Sequence, residues 1–182
     1  MRFIFRTIVG ASALTVAAAP ALAETKLVDT FNDWHFYSHN SASEQVCFAA
    51  STPKSTEPAT AGQQPTYFYI SAWPKDGVRT ELSLKFGFPL KKGAEATVTV
   101  GNDTFKLFTN EDRGFINNPI EELKLLEAMK GGSTMVVEAV SEQGTVKHTF
   151  SLMGVTKAVQ TLTIHFGAQG DQSCGRPAIG DL

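Results

Sequence analysis

The sequence lacks an excess of positive charge and contains no run of basic residues. Sixteen Lys and Arg stand against 18 Asp and Glu in 182 residues, which gives a formal net charge of −2. Proteins that bind nucleic acid need basic groups to neutralise phosphates, and electrostatic docking on anionic lipid makes the same demand. The composition therefore argues against nucleic acid as a partner and against an electrostatic contact with anionic lipid.

Common catalytic and metal-binding motifs are missing as well. The chain has no Gly-x-Ser-x-Gly, no phosphate loop and no His-Glu-x-x-His. His35 and His39 are four residues apart, but a strand would separate them by about 13 Å, too far to share one ion. His148 is predicted to face solvent from a strand, and His165 is left between core and surface. We predict no catalytic residues, no metal site and no cofactor.

No apolar run is long enough to span a bilayer comfortably. Residues 8–19 are apolar, follow two arginines and lead to an Ala-Leu-Ala ending at 21–23. This is the pattern of a signal peptide, whereas an uncleaved anchor would need about 20 apolar residues. We predict that residues 1–23 are a signal peptide. Residues 24–182 would then form a single soluble β-rich domain, periplasmic or secreted, with no transmembrane segment.

Cysteine is scarce, with only Cys47 and Cys174 in the chain. In an oxidising compartment, two such residues predict a disulfide bond. The bond would close a loop over most of the chain, for which the chain-entropy model gives about 4–5 kcal/mol. The alternative, a redox-active thiol pair, is disfavoured because the spacing has nothing of Cys-x-x-Cys.

Short segments with strand character make up most of the remaining sequence, separated by turn residues. We predict strands at residues 32–39, 45–49, 66–73, 78–86, 94–100 and 104–109, and two more on either side of a loop at 141–144. The stretch 51–65 contains three prolines and no large apolar residue, so it is predicted to be a surface loop. The pattern favours a mainly β fold, an antiparallel β-sandwich or small barrel with one or two short helices.

One helix has clear start and stop signals. Asn118 suits the N-cap, Pro119 suits the first turn, and the helix is predicted to end at residue 130 with Gly131 as a left-handed C-cap. An apolar stripe is predicted to face the core. It comprises Ile120, Leu123, Leu126 and Met129, with Leu125 at its margin.

Two further features involve the chain after this helix. Gly144 is predicted to hold a positive φ in the hairpin loop. Residues 154–166 allow two structures, because the apolar positions have helical spacing at first and alternate like a strand towards the end. We favour a helix for the first half of this segment.

Short motifs in a fixed order begin at the end of the helix that starts at Asn118. They are Met129-Lys130-Gly131, Gly144-Thr145, Phe150-Ser151-Leu152 and Gly154. This order resembles the pattern of the invasion-associated locus B family, small exported proteins of bacteria, and Trp34 and Cys47 are similar to an early Trp and Cys of that family. Val155 and Lys157 depart from the commoner aromatic and small residues. The resemblance implies a non-enzymatic exported envelope or secreted protein, with a role in host-cell entry in pathogenic members.

Aromatic residues on two predicted strands suggest a binding patch. The patch would comprise Trp34, Tyr67, Tyr69 and Trp73. These side chains either pack against an edge or loop, or form an exposed surface for a protein or glycan partner in the envelope or on a host cell. The second possibility leads to an alternative function, a periplasmic module that binds a small ligand or a polysaccharide.

The signal peptide gives the first testable prediction. Mass spectrometry of the protein isolated from its native host should give a mass that begins at Glu24, because the peptidase site follows Ala23. A mass that includes residues 1–23 would contradict both the predicted compartment and the oxidising environment on which the disulfide depends.

Overall fold

The computed structural model describes residues 23–41, 45–59 and 64–167. In this part of the chain there are eleven strands, two α-helices and a short 3₁₀ turn at Pro74–Asp76. The strands are β1 (Glu24–Phe31), β2 (Trp34–Asn40), β3 (Gln45–Ser51), β4 (Ser55–Glu57), β5 (Tyr67–Trp73), β6 (Val78–Lys85), β7 (Ala96–Val100), β8 (Asp103–Asn110), β9 (Arg113–Phe115), β10 (Thr134–Ser141) and β11 (Gly144–Ser151). The helices are α1 (Pro119–Gly131) and α2 (Val155–Gly167).

All eleven strands belong to one antiparallel sheet. Their order is β1-β2-β3-β5-β6-β9-β8-β7-β10-β11-β4. The two edge strands of this order, β1 and β4, are not paired with one another, so the sheet is not closed into a barrel. The first half of the sheet comprises β1, β2, β3, β5 and β6, the second half comprises β8, β7, β10, β11 and β4, and β9 connects them. The two halves face each other across a shared core, which confirms the predicted mainly β, sandwich-like fold with two helices.

The core forms where β2 and β5 of one half meet β11 of the other. Trp34 is completely buried, and its indole N–H donates to the carbonyl oxygen of Ser151 at 3.1 Å. The ring of Phe68 lies 6.1 Å from the rings of both Trp34 and Phe150, in edge-on contacts. Aromatic pairs of this geometry add to the free energy of burial.

The second helix resolves the ambiguity in the sequence. α2 is helical over Val155–Gly167, which includes the favoured first half of the segment and continues beyond it. Val155, Ala158 and Leu162 lie buried in the core at helical spacing, and the helix contacts β2, β3 and β5. None of the helices described here is long and apolar enough to cross a membrane.

The start of α1 is as predicted, but its buried face is not. The side-chain oxygen of Asn118 accepts the backbone N–H groups of Ile120 at 2.9 Å and Glu121 at 3.4 Å. Ile120 and Leu123, however, are 65% and 59% exposed, and the buried side chains are Leu125, Leu126 and Met129. The predicted stripe was therefore wrong at two of its four positions, and Leu125 is central rather than marginal.

A polar contact explains why α1 buries a different face from the predicted one. A carboxylate oxygen of Glu122 accepts the backbone N–H of Leu82 in β6 at 2.7 Å. This contact turns the side of the helix that carries Glu122, Leu125 and Met129 towards the sheet. Partial burial of Glu122 raises the pKa of its carboxyl group, and the N–H donor opposes that rise. An apolar periodicity alone could not reveal this polar contact.

The predicted left-handed cap at Gly131 was also wrong. Gly131 is the last helical residue, and Gly132 follows with an extended backbone at φ −91°. A Cβ atom at Gly132 would lie 2.6 Å from Cγ1 of Val100 and 3.0 Å from Cδ1 of Leu152, whereas one at Gly131 would meet open space. The second glycine is required because neighbouring side chains pack directly on its backbone.

Other differences concern short or exposed elements. The sequence predicted no strand at β1, β4 or β9, and β4 lies within the expected loop 51–65. The last hairpin has a two-residue turn, because Ser141 pairs with Gly144. Gly144 does have a positive φ, at 127°, which confirms that prediction.

The glycine pair gives a prediction with a built-in control. Gly132→Ala should lower the free energy of unfolding by about 1–3 kcal/mol, because the added methyl group overpacks the contact with Val100 and Leu152. Gly131→Ala should be neutral or raise it by up to about 1 kcal/mol, since alanine favours a helix and the space is open. Urea unfolding measures both. Equal effects of the two substitutions would contradict the packing argument.

Candidate functional site

Four aromatic rings lie in a row on the outer face of the first half of the sheet. The rings of Tyr37 and Phe48 are stacked at 5.1 Å, Phe48 and Tyr69 meet edge-on at 5.9 Å, and Tyr69 and Tyr67 are stacked at 5.8 Å. All four side chains are partly exposed. We call Tyr37, Phe48, Tyr67 and Tyr69 the outer aromatic row.

Strand alternation places the row on this face. In β2, Trp34 and Phe36 point into the core, so Tyr37 points outward, and in β5 the buried Phe68 alternates with the tyrosines on either side. Tyr37 then sits directly opposite Phe48 in the β2–β3 register. Cross-strand aromatic pairs of this kind stabilise a sheet while leaving ring surface open to solvent.

The predicted binding patch is only partly assembled. Trp34 belongs to the core and cannot contact a ligand at the surface, which corrects the prediction for that residue. Tyr67 and Tyr69 lie side by side on the outer face. Trp73 lies about 13 Å further along β5, beyond a bulge. Its Nε1 atom is buried and has no hydrogen-bond partner in the described part of the chain.

Sequence reasoning missed two members of the row. Tyr37 alternates with Trp34 and Phe36, so the period of a strand puts it on the opposite face, but no local signal connects it to β5. Phe48 lies between buried residues of β3 and carries no local signal of exposure. Only the register of three neighbouring strands brings these rings together, so the pairing pattern was the missing information.

Charged residues adjoin the Tyr67 end of the row. Tyr67 is opposite Lys85 in β6, and Lys85 is opposite Arg113 in β9. Lys85 also forms an ion pair with Asp112. An open pocket of about 840 Å³ is lined by Tyr67, Lys85 and Asp112, with Phe88 on its apolar side. The aromatic row therefore leads into a pocket with both charged and apolar walls.

The electrostatics of the row follow from its partial burial. Desolvation raises the pKa of Tyr69, and the neighbouring Tyr67 adds to the rise while Arg113 opposes it. Desolvation and the neighbouring Tyr67 thus favour a neutral Tyr69, whose hydroxyl group is a donor as well as an acceptor.

His148 lies behind this surface and not at a solvent face, so its predicted position was wrong. It is 2% exposed and lies on the same side of β11 as Val146 and Phe150, as the two-residue period of a strand requires. Its Nδ1 lies 2.9 Å from the hydroxyl of Thr56, and its Nε2 lies 3.4 Å from that of Thr66.

The surroundings of His148 keep it neutral. The rings of Phe86, Phe88 and Phe150 have their centroids 5.9–6.4 Å from the imidazole. Burial lowers the pKa of His148 to about 4, because the imidazolium loses its hydration and no charged group in the described part of the chain compensates that loss. A neutral imidazole held by two threonines serves packing and hydrogen bonding.

The remaining candidate residues do not converge on a site. His35 contacts the hydroxyl of Thr30 and His39 that of Thr25, each through Nδ1. Within the described residues, no group of three or more His, Cys, Asp or Glu could hold a metal ion. The side chain of His165 lies outside the described part of the structure.

One of the two cysteines, Cys47, lies in the described part of the chain. Cys47 lies in β3 and is 2% exposed, on the face that packs into the core. Cys174 lies outside the described residues. The disulfide between Cys47 and Cys174 therefore stays a prediction.

Comparisons with known proteins concern most of the chain. The family model described as invasion associated locus B (IalB) protein matches residues 34–163. The crystal structure of invasion associated protein B from Bartonella henselae has a similar fold, with a TM-score of 0.52 and 13% sequence identity. The similarity covers 75% of this chain and 96% of that one. No curated protein sequence matches the chain.

His148 predicts a specific pH dependence of stability. Between pH 6.5 and about 4, the unfolded chain binds a proton at His148 that the folded chain excludes, so the free energy of unfolding falls as the pH falls. Above pH 6.5 this loss is absent, and below about pH 4 it is complete. Its full size is on the order of 3 kcal/mol.

The measurement is urea unfolding at several pH values. In His148→Gln, the fall between pH 6.5 and 4 should be smaller by that amount than in the unsubstituted protein, because glutamine does not titrate. His35→Gln removes a histidine from an exposed position and is the control for the substitution itself. An unchanged slope in His148→Gln would show that the folded protein accepts the proton.

Proposed function

Because this chain belongs to the invasion-associated locus B family, we propose that it is an exported protein that acts by binding and not by catalysis. Its partner would lie in the bacterial envelope or on the surface of a host cell. Export rests on the signal-peptide pattern of residues 1–23. The host-cell role rests on the family name and on the name of the similar Bartonella protein.

The observation that carries the proposal is the outer aromatic row. An antiparallel sheet commonly presents polar side chains to water on its outer face. Here four partly exposed rings contact one another across three adjacent strands instead. Protein interfaces are enriched in tyrosine and phenylalanine, and tyrosine often contributes most of the binding energy. The row supplies an apolar surface whose hydroxyl groups can select a partner.

A cell-binding experiment tests this function. The fluorescently labelled protein, residues 24–182, would be added to cultured host cells and to isolated bacterial envelopes, and bound protein measured by cytometry. Tyr67→Ser with Tyr69→Ser should reduce binding about ten-fold or more, because it removes two adjacent rings. Thermal unfolding of the double variant confirms that the fold is retained at the assay temperature.

Met153→Ser is the matched control. Met153 is also a large exposed apolar residue, but it lies in the turn between β11 and α2 and not on the row. It should bind as well as the unsubstituted protein. If the tyrosine double variant also binds normally, the row is not the recognition surface. If no binding to cells or envelopes is observed, the proposed function is wrong.

A polysaccharide-binding module is the second candidate, and the charged end of the row favours it. Sugar rings can place their C–H faces on aromatic rings while their polar groups reach neighbouring side chains. Lys85 and Arg113 are adjacent in register next to Tyr67, where a sugar carboxylate could pair with them.

Calorimetric titration with an oligomer of uronic acids separates this candidate from the first. Binding of the uronic acid oligomer should be about ten-fold weaker in Arg113→Ala, because the contact with the sugar carboxylate is lost. The unsubstituted protein should also bind the neutral sugar oligomer of equal length, through stacking on the aromatic rings. Cell binding without any heat from sugars would leave a protein partner as the function of the row.

A further inference from the structure

A second surface, on the other half of the sheet, is independent of the aromatic row. Strand β8 pairs with β7 over Asp103–Leu107, but with β9 only over residues 108–110. Because a two-residue turn closes the β7–β8 hairpin at the pair Val100 and Asp103, the backbone groups of Asp103, Phe105 and Leu107 point towards β7. Those of Thr104 and Lys106 therefore point the other way.

The backbone groups of Thr104 and Lys106 form an open strand edge. Both residues are exposed. In the described part of the chain, no backbone–backbone hydrogen bond beyond the β7 ladder involves either of them. Two N–H donors and two C=O acceptors thus remain at the spacing of a strand, and such an edge is a template for pairing with another strand.

Helix α1 forms the opposite wall of a groove along this edge. A cavity of about 620 Å³ lies between β8 and α1, and an adjoining cavity of about 480 Å³ lies between β8 and the segment that leads into α1. They share Thr104, Phe105 and Glu121, so they form one groove. Along β8 it extends from Asp103 to Phe108, which is about 17 Å of strand.

Exposed apolar side chains are concentrated in this groove. The described residues include six large apolar side chains classed as exposed, and three of them, Phe108, Ile120 and Leu123, line the groove. Of the four residues of α1 that were predicted to face the core, Ile120 and Leu123 are the two that are exposed. Their exposure leaves an apolar patch beside unpaired backbone groups, a combination that suits a peptide with alternating apolar residues.

Charge distinguishes the two ends of the groove. Around the 620 Å³ cavity, Asp103, Glu121 and Glu127 stand against a single base, Lys124, so the lining has a formal charge of −2. At the other end, Lys106 forms an ion pair with Glu95 at 2.8 Å. A basic residue of a ligand would therefore be favoured next to Asp103.

We propose that this groove binds an extended segment of a partner protein, which adds to the β8 edge as a strand. The segment carries apolar side chains at alternate positions and a Lys or Arg at the end that lies next to Asp103. Its backbone bonds to Thr104 and Lys106, and its apolar side chains cover Phe108, Ile120 and Leu123. A second copy of this net acidic chain is a poorer occupant for the acidic end.

Synthetic peptides provide the probe. A set of labelled seven-residue peptides would alternate threonine with valine, leucine, isoleucine or phenylalanine and carry lysine at both ends. Fluorescence anisotropy should detect binding, and hydrogen exchange should show slower exchange at the amides of Thr104 and Lys106 only when peptide is present. The same peptides with N-methylated backbones should not bind, because they cannot complete the strand pairing.

Leu123→Glu tests the apolar wall of the groove. The substitution should weaken peptide binding about ten-fold or more, since it removes an apolar contact at an exposed position where the fold does not depend on it. Met153→Glu is the matched control, because Met153 has the same exposure of 59% and lies outside the groove. The control should bind the peptides unchanged.

Three results would overturn the proposal. The first is that no peptide of the set binds at millimolar concentration. The second is that the N-methylated peptides or Leu123→Glu bind as well as their counterparts. The third is a dimer in solution that Leu123→Glu dissociates and that excludes the peptides, which would assign the groove to a second copy. Loss of cell binding in the tyrosine variant affects none of these measurements.

Discussion

The structure depends on a contact that holds the two halves of one long sheet against each other. Trp34 extends from β2 across the core, and its indole N–H bonds to the carbonyl of Ser151 in β11. Phe68 then joins the rings of Trp34 and Phe150. Strands that are distant in the sheet order are thereby held face to face. A buried indole without this acceptor would leave an unsatisfied donor, so the hydrogen bond fixes the position of the two halves as well as stabilising them.

Two of the motifs behind the family resemblance, Phe150-Ser151-Leu152 and Gly154, lie along this same contact. Phe150 and Leu152 are buried in the core, and Ser151 supplies the carbonyl that accepts the indole. Gly154 has a φ of +97°, and a Cβ atom there would lie 1.8 Å from the carbonyl oxygen of Phe31. These residue types are explained by packing and by the backbone. A family resemblance that rests on such residues indicates a shared fold. Family membership is therefore informative about the architecture and gives no information about the ligand.

Local patterns predicted what depends on neighbours in sequence and missed what depends on pairing. The cap at Asn118 and the positive φ of Gly144 follow from rules that act within a few residues. The contact of Tyr37 with Phe48 depends on the β2–β3 register, which no local signal encodes. His148 differs from both, because the two-residue period of a strand puts it on the side of Val146 and Phe150, whereas the prediction placed it on the opposite, solvent-facing side.

The short connection between the two halves of the sheet explains why two kinds of surface coexist. Only the three residues of β9 connect β6 to β8, and α1 contacts both of these strands. On the β6 side, Glu122 satisfies the N–H of Leu82. On the β8 side, Thr104 and Lys106 receive no such partner among the described residues. The strands that carry the aromatic row are paired on both sides and present side chains to a ligand, whereas β8 also presents backbone groups. Recognition by the first depends on aromatic and charged groups, and recognition by the second depends on strand pairing.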